Sequence, residues 1–460
     1  MGNAGNSGDG ELGIGKRGGS SHHVQMKTIF TILALGCVMQ AQLWNGVLAS
    51  QRAVNWGANA GAVPGTPGSL PDSSWTQCGS TVAAGSSVAT INAALTACTA
   101  GHYVQLAAGN FTGLASDIVV SVNQTELRGA GANSSIMVAS SEGSCNGVFS
   151  QICMAGSNNY PNGGEQNTAT WTAGYTQGTT SITLSNSLNI VANSTIIALD
   201  QQDEATDTGG IWNCAGTMAC GGSGSSGLPR TDNTCSSAVS PNVGACSQVQ
   251  YVLVTGCSPS CNNSGSTTLT ISPGLYAPNW RSAQSTGAWW ATTVAYQRGV
   301  RDLSMDDTST TAGTTPIVIL NCYECFVYQV RTIDGARNHI NVQYSKNVTL
   351  MNNYMFNDSV NGTSSYAMEF DDVADTLVAN NICQQVVECW VLNGGDTGMA
   401  EFGDFAVYPI PTNSSLPPMI FDHASGTEFN LSEANFVNAI TEDNTHGTHH
   451  FPTFFRNISP

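Results

Sequence analysis

Basic residues are scarce in this chain. Its 460 residues hold 13 Lys+Arg against 31 Asp+Glu, a formal charge of −18, and the lysines are only Lys16, Lys27 and Lys346. A chain so poor in cations cannot neutralise a phosphate backbone, which excludes nucleic acid as a partner. Charged residues of both signs make up 10%, against roughly 25% in an average soluble domain. Helix-rich architectures are disfavoured with them, because Lys, Glu and Arg are the usual surface of helices. Neither a Gly-x-Ser-x-Gly elbow nor a Walker loop occurs, which removes the commonest serine hydrolases and NTPases. The Gly-x-Gly at 129–131 lacks a third glycine and a following helix, so it reads as a turn between strands.

What fills the chain instead is Gly, at 50 positions, together with Ser, Thr, Asn and 15 Cys. A hydrophobic fraction of 41% is too high for a disordered acidic tail. The balance predicts an extracellular β protein.

Residues 1–25 show no apolar periodicity. Met26-Lys27 then opens an apolar run from Ile29 to Met39 that ends at Val47-x-Ala49. A basic start, a short apolar core and a small-residue end predict a leader and secretion signal over 1–50, starting at Met26. Extended to Ala49, the run would serve as an uncleaved anchor; once cleaved, it leaves no membrane segment. Leu35-Gly36-Cys37 is similar to a lipoprotein cleavage box, except that Ala34 stands where Leu is usual. Cys37 falls in the leader, and the other cysteines lie in neighbouring twos: 78/98, 145/153, 214/220, 235/246, 257/261, 322/325 and 383/389. Local disulfides in an oxidising compartment are the plain reading. The alternative is a zinc site of Cys322, Cys325, Cys383 and Cys389, although the second pair is spaced unlike a zinc knuckle.

From Ser86 to Thr99, Val88, Ile91, Ala94 and Leu95 form one helical stripe. Tyr103-Val104-Gln105-Leu106, Gly109-Asn110-Phe111 and Glu126-Leu127-Arg128-Gly129-Ala130-Gly131 follow. This order of helix, strand, L-x-x-G-x-F, strand and L-R-G-A-G resembles the N-terminal cap and first coil of pectate-lyase-like right-handed parallel β-helix proteins. Residues 51–140 are therefore expected to hold the cap and first coils. Over 141–295 the pattern changes to alternating strands at Thr180–Leu184, Ser194–Leu199, Tyr251–Thr255 and Thr267–Ile271, with a Gly/Ser/Cys-rich loop from Asp207 to Ala245. A β-rich, disulfide-bridged insertion is expected there.

Beyond residue 296 a repeat emerges. Cys325-Phe326-Val327-Tyr328, Asn347-Val348-Thr349-Leu350 and Asp375-Thr376-Leu377-Val378 align at steps of about 22 and 28 residues, with Asn352-Asn353 and Asn380-Asn381 at the turns and Asn435 and Asn457 at later equivalents. Such a period predicts coils stacked over a continuous apolar column. Asn suits the turn because it tolerates the left-handed region and its amide can bond to its counterpart one coil away. The phrase SKNVTLMNNYMF resembles the same superfamily, and HGTHHFPTFFRN (446–457) resembles a segment of uncharacterised secreted bacterial β-helix proteins. The expected fold is thus all-β: a right-handed parallel β-helix with an N-terminal capping helix and an inserted β-rich unit. Solenoids need a polar cap, and 453–460 read as a last open coil, so further coils are expected beyond Pro460.

The resemblance implies a secreted or cell-surface protein that binds, and cleaves as a lyase or glycoside hydrolase, a uronate-containing or related polysaccharide. A monomer or homotrimer is implied with it. The rival class is a non-catalytic adhesive β-helix.

The repeat also sorts side chains. Val318/Leu320/Cys322, Ile340/Val342/Tyr344 and Met368/Phe370/Asp372 form one alternating set, expected to point inward. The opposite set, Ile317/Ile319/Asn321, His339/Asn341/Gln343 and Ala367/Glu369/Asp371, would gather polar groups on one outer face. Asn341 would then lie one interstrand spacing from Glu369 and Gln343 likewise from Asp371, with the two carboxylates roughly 6.5–7 Å apart by backbone rise. That separation fits an inverting hydrolase. The alternatives are calcium held by Glu369 and Asp371, in a lyase whose base is Arg337 or His339, and a plain solvated face. Asn321, Asn341 and Gln343 are the expected substrate contacts.

Asp371-Asp372 also matches the catalytic Asp-Asp of polygalacturonase-like hydrolases. Arg331-Thr-Ile-Asp334 half-matches their Asn-x-Asp, His446-Gly447 lacks the leading Gly, and no Arg-x-Lys occurs. His423, His446, His449 and His450 form a last cluster, able to hold a metal only if their segment is a loop. Trp280, Trp289 and Trp290 read as core or as sugar-stacking platforms.

Overall fold

In the computed structural model, strand after strand pairs in parallel with its counterpart one coil away. The described residues are 48–49, 52, 54–157, 166–204, 211, 213, 246–310, 315–360, 365–411, 420–443 and 446–459. Most of the expected leader, its start at Met26 included, and most of the Asp207–Ala245 loop lie outside them. Among the described residues, three parallel sheets of ten, seven and eight strands run along the chain. Each full coil adds one strand to each. Phe326–Tyr328, Arg331–Gly335 and Asn338–Gln343 make one coil, and Thr349–Met351, Tyr354–Asp358 and Tyr366–Asp371 make the next. The chain is a right-handed parallel β-helix.

Pairing fixes the interior. Val327, Leu350 and Val378 stack in one sheet, Met355 and Cys383 in the second, and Ile340, Met368 and Trp390 in the third. All of these are fully buried. Burying a column of Val, Leu, Ile and Met is what stabilises a coil that has no other core, at about 25 cal/mol for each Å² of apolar surface removed from water.

The first repeat step is 23 residues, not 22, because Phe326 pairs with Thr349; the second, from Thr349 to Leu377, is 28 as expected. The extra residue shifts one coil's alternation. Ile317 and Ile319, which pair with Ile340 and Val342, point inward, and Val318 and Leu320 point out. Asparagine stacking follows the expected turns. Asn353 N–H donates to Asn381 Oδ1 (2.9 Å), Asn381 N–H to Asp404 Oδ1 (2.6 Å), Asp404 N–H to Asn435 Oδ1 (2.8 Å) and Asn435 N–H to Asn457 Oδ1 (2.9 Å). Asp404 is the rung that an Asn-only search passes over.

The helix Val88–Ala97 closes the N-terminal end, with Val88, Ile91 and Leu95 buried and Ser87 capping it through the Thr90 N–H. Asn92 covers the edge strand Ile118–Val119: its Nδ2 donates to the Asp117 carbonyl and its Oδ1 accepts from the Val119 N–H. An open solenoid end would otherwise offer unpaired backbone to another chain.

The inserted unit is a closed six-stranded antiparallel barrel of Asn167–Ala173, Ser181–Leu184, Thr267–Ser272, Gln248–Ser258, Ile196–Gln201 and Gly287–Trp290. It interrupts the solenoid without breaking it, since Gly299 pairs with Glu126 and Ile317 with Ile152 across the insertion. The barrel packs on the outer face of the eight-stranded sheet, where Ile196, Ala198, Val249, Tyr251 and Trp289 share one apolar cluster with Val318, Leu320, Tyr344 and Ala374. Contact is close enough to demand glycine: a Cβ on Gly426 would lie 1.7 Å from the Ser247 carbonyl oxygen.

Disulfides join Cys78–Cys98, Cys145–Cys153, Cys257–Cys261, Cys322–Cys325 and Cys383–Cys389. The zinc alternative for the last two pairs is thereby overturned. Cys246 is disulfide-bonded; Cys214, Cys220 and Cys235, the other members of the expected 214/220 and 235/246 pairs, lie outside the described residues. No described helix is long and apolar enough to cross a membrane.

Candidate functional site

The outer face of the eight-stranded sheet carries the carboxylates. Asn341 pairs with Glu369 and Gln343 with Asp371, as the 28-residue step predicts. Glu369 is 2% exposed and accepts three hydrogen bonds: from Arg337 (2.5 Å) and Asn393 (2.8 Å) at Oε1, and from Asn341 (3.2 Å) at Oε2. Asp371 is half-buried; its Oδ2 accepts from Gln343 (3.1 Å) and from the same Asn341 nitrogen (3.4 Å). One amide thus bridges the two carboxylates. The amide oxygens of Asn341 and Gln343 have no protein partner.

The two acids have unlike surroundings. Burial, then the neighbouring charges of Glu369 and Asp372, push the Asp371 carboxyl well above the usual carboxylate range, with Arg337 and the Asn341 hydrogen bond opposing. Glu369 instead meets a guanidinium. Two carboxyls two residues apart on one strand are set apart by what stands opposite them on the neighbouring coils.

Arg337 therefore joins the site as an ion-pair partner. Its side chain is 52% exposed and lies over the Tyr366 ring. A guanidinium held by a carboxylate is a poor base, since it stays charged. His339 does not join. It is fully buried, with Nδ1 2.8 Å from Thr332 Oγ1 and Nε2 facing Asp358 Oδ1 at 3.2 Å. Strict alternation fails at this strand's start, where Ala367, in the matching position of the next coil, also belongs to the interior.

Asp372 also departs from expectation. The strand ends at Asp371, Asp372 takes a left-handed backbone (φ +53°), and its carboxylate accepts from the Gly395 N–H at 2.9 Å. Burial raises its pKa to about 7, aided by the charge of Asp200 from the barrel. It faces the barrel side, so no Asp-Asp pair opens on one groove. Tyr344, grouped with the inward set, likewise turns to the barrel, its ring 6.2 Å edge-on from Trp289. Asn321 sits in a left-handed turn, donating to the Ser157 and Thr293 carbonyls at 2.9 and 3.1 Å; it is a structural residue. Trp280, Trp289 and Trp290 are at most 4% exposed, which removes them as sugar platforms.

Asn393 is the residue sequence reasoning missed. Phe370 pairs with Leu392, so extending the repeat by one coil would have placed Asn393 beside Asp371.

Calcium does not fit Glu369. The cation at its Oε1 is already Arg337, and amide nitrogens, not oxygens, face both carboxylates. A hard cation wants six to eight oxygens. The face holds a protein-supplied positive charge.

No protein-family model and no curated sequence matches the chain. Among solved structures, the chain is similar to the tailspike gp61 of Pseudomonas phage phi297 (TM-score 0.46, 9% identity, covering 76% of this chain and 49% of that one). It is also similar to the tailspike gp49 of Pseudomonas phage LKA1 (TM-score 0.35, 12% identity, 76% and 57%). A third is the gp54 tailspike of Acinetobacter baumannii bacteriophage AP22, solved with A. baumannii capsular saccharide (TM-score 0.31, 8% identity, 80% and 69%). The chain spans about half the length of the first of these.

Proposed function

We propose that this chain is an extracellular, pectate-lyase-like β-helix protein that hydrolyses a polysaccharide laid across the eight-stranded sheet beside the barrel. The observation that supports it is the division between two carboxyls on one strand: Asp371 half-buried and pushed toward its protonated form, Glu369 held by Arg337. Pairs of acids whose environments differ in this way divide acid and charge-stabilising roles in glycoside cleavage. Asp371 donates its proton to the glycosidic oxygen as that oxygen's bond to the anomeric carbon breaks; water then adds to the carbon, and the proton it releases returns to Asp371. Glu369, hydrogen-bonded by Arg337, Asn341 and Asn393, stabilises the positive charge that develops on the sugar ring. Asn341 and Gln343 hold the two carboxylates in place, their amide nitrogens donating to Glu369 and Asp371 and their amide oxygens buried. The exposed part of Arg337 meets a uronate carboxylate.

Hydrolysis is favoured over β-elimination because neither of the two residues expected to serve as the base for elimination stands free at the sugar. His339 is buried inside the coil and Arg337 is ion-paired. The low exposure of Glu369 and Asn341, 2% each, favours a second reading, an adhesive protein that binds glycan without cleaving it. Incubation with a panel of uronate-rich and neutral glycans separates the two. New reducing ends without unsaturated, ultraviolet-absorbing ends support hydrolysis. Unsaturated ends would move the chain to the lyases, and retention of glycan with no cleavage would make it an adhesin.

A further inference from the structure

Away from the carboxylate face, the described residues hold one group of side chains whose metal-ligating atoms converge. One ligand atom each from His423, Asp443 and His446 lies within 4.8 Å of the others. Register builds the first pair. Ile420–Asp422 runs parallel beside Ile440–Glu442 with Asp422 opposite Glu442, so the next residues, His423 and Asp443, occupy matching positions on successive coils. The chain is irregular from 446 to 452 apart from single bridge contacts, so strand alternation does not send His446 and His449 to opposite faces. His446 turns back and its Nδ1 meets Asp443 Oδ2, the oxygen that His423 Nδ1 approaches at 3.0 Å. The two imidazole rings stand 4.1 Å apart. His449 holds the arrangement from behind, Nε2 donating to the Asp443 backbone oxygen at 2.7 Å.

We propose that His423, Asp443 and His446 bind one divalent transition-metal ion of the zinc class, through two Nδ1 atoms and one carboxylate oxygen. Two imidazoles and a carboxylate are a first-row transition-metal set, whereas calcium would want oxygens alone. Bonds of about 2.0–2.2 Å on a tetrahedron place ligand atoms roughly 3.3–3.5 Å apart, and the His423–Asp443 contact is within a few tenths of that. Without an ion, one carboxylate oxygen must accept from two imidazoles at once. With it, both nitrogen lone pairs and the carboxylate face a positive charge. His446 is 43% exposed, against 20% for His423 and 10% for Asp443, so the fourth position opens on the solvent side of His446. Because its ligands come from successive coils, the ion ties the last coils together. This site is independent of the carboxylate face.

The test uses the full chain, stripped with a chelator and then titrated with Zn²⁺ or Co²⁺. Calorimetry should show tight uptake, Co²⁺ should give visible ligand-field bands, and Zn²⁺ should raise the melting temperature. H423A/H446A should weaken binding by more than about 100-fold and abolish both the bands and the thermal shift. D443N keeps the shape and both imidazoles and should weaken binding by about 10-fold or more, a readout that stands if the double variant does not fold. H450A, and H22A/H23A in the leader, should leave binding intact. Wild-type protein that takes up no ion overturns the assignment. So does uptake that survives in H423A/H446A and D443N, or uptake lost in H22A/H23A.

Discussion

Arg337, half of its side chain in solvent, reaches one coil along the solenoid to Glu369, a carboxylate 2% exposed, at 2.5 Å. Removing the guanidinium leaves a buried charge with amide donors alone. Hydrogen bonds to charged groups contribute about 1.5–3 kcal/mol, and the exposure of Arg337 puts this pair at the low end. R337A should therefore unfold at lower denaturant, by about 1.5–2 kcal/mol, and R337K should recover part of the loss. Equal stability of R337A and wild type in urea titrations would show that the pair holds nothing.

The two neighbouring aspartates should separate in activity. D371N removes the proposed proton donor and should lower kcat on a cleaved glycan by about 100-fold or more. D372N sits at the barrel side and should stay within a few-fold of wild type. Reducing-end assays on both variants check this, and the opposite ranking would place the acid at Asp372.

Stability should fall as pH rises. Burial raises Asp372 and Asp404 to about 7, and Glu388 and Glu428 to about 8. Each binds its proton more tightly folded than unfolded, so its favourable contribution is complete below the unfolded value of about 4 and is lost through its folded pKa. His450, lowered to about 4 by burial, opposes this below about 6.5, but the carboxyls outnumber it. Thermal melts from pH 4 to pH 9 should show the highest melting temperature at the acid end. E388Q should melt above wild type at pH 8 and close to it at pH 5.

The asparagine ladder offers an internal control. Asn381 is fully buried and bonds Asn353, Asp404 and the Leu350 carbonyl. The side chain of Asn380, its exposed neighbour, bonds the Asn352 side chain alone among the contacts seen. N381A strands a buried backbone N–H and should cost about 1–3 kcal/mol, whereas N380G, which suits the left-handed backbone of that position (φ +54°), should cost well under about 1 kcal/mol. Urea midpoints for the two variants decide it.

The 28-residue step between Asn341 and Glu369 was readable because polar and apolar residues alternate cleanly on those strands. The step before it was misread by one residue. Ile317-Val318-Ile319-Leu320 is apolar on both faces, since one faces the interior and the other the barrel, and a run buried on both sides carries no alternation to set its register. His339 was misplaced because strict alternation fails at the start of its strand, where His339 is fully buried and Ala367 of the next coil joins the core, a tertiary effect that no local pattern records. Asp404 stands in an asparagine ladder because only its acceptor oxygen is needed to take the Asn381 N–H. The barrel's strands were visible in the sequence, but their closure, and the docking that needs Gly426 against Ser247, depend on partners far apart along the chain.

The charge state of Asp371 tests the central claim most directly. Infrared difference spectra between wild type and D371N, recorded from pH 4 to pH 9, isolate that single carboxyl. The account predicts a protonated carboxylic-acid carbonyl band in the wild type at neutral pH that is absent from D371N and persists well above the pH at which free aspartate ionises. A carboxylate band at neutral pH, with no acid carbonyl to lose, would contradict it.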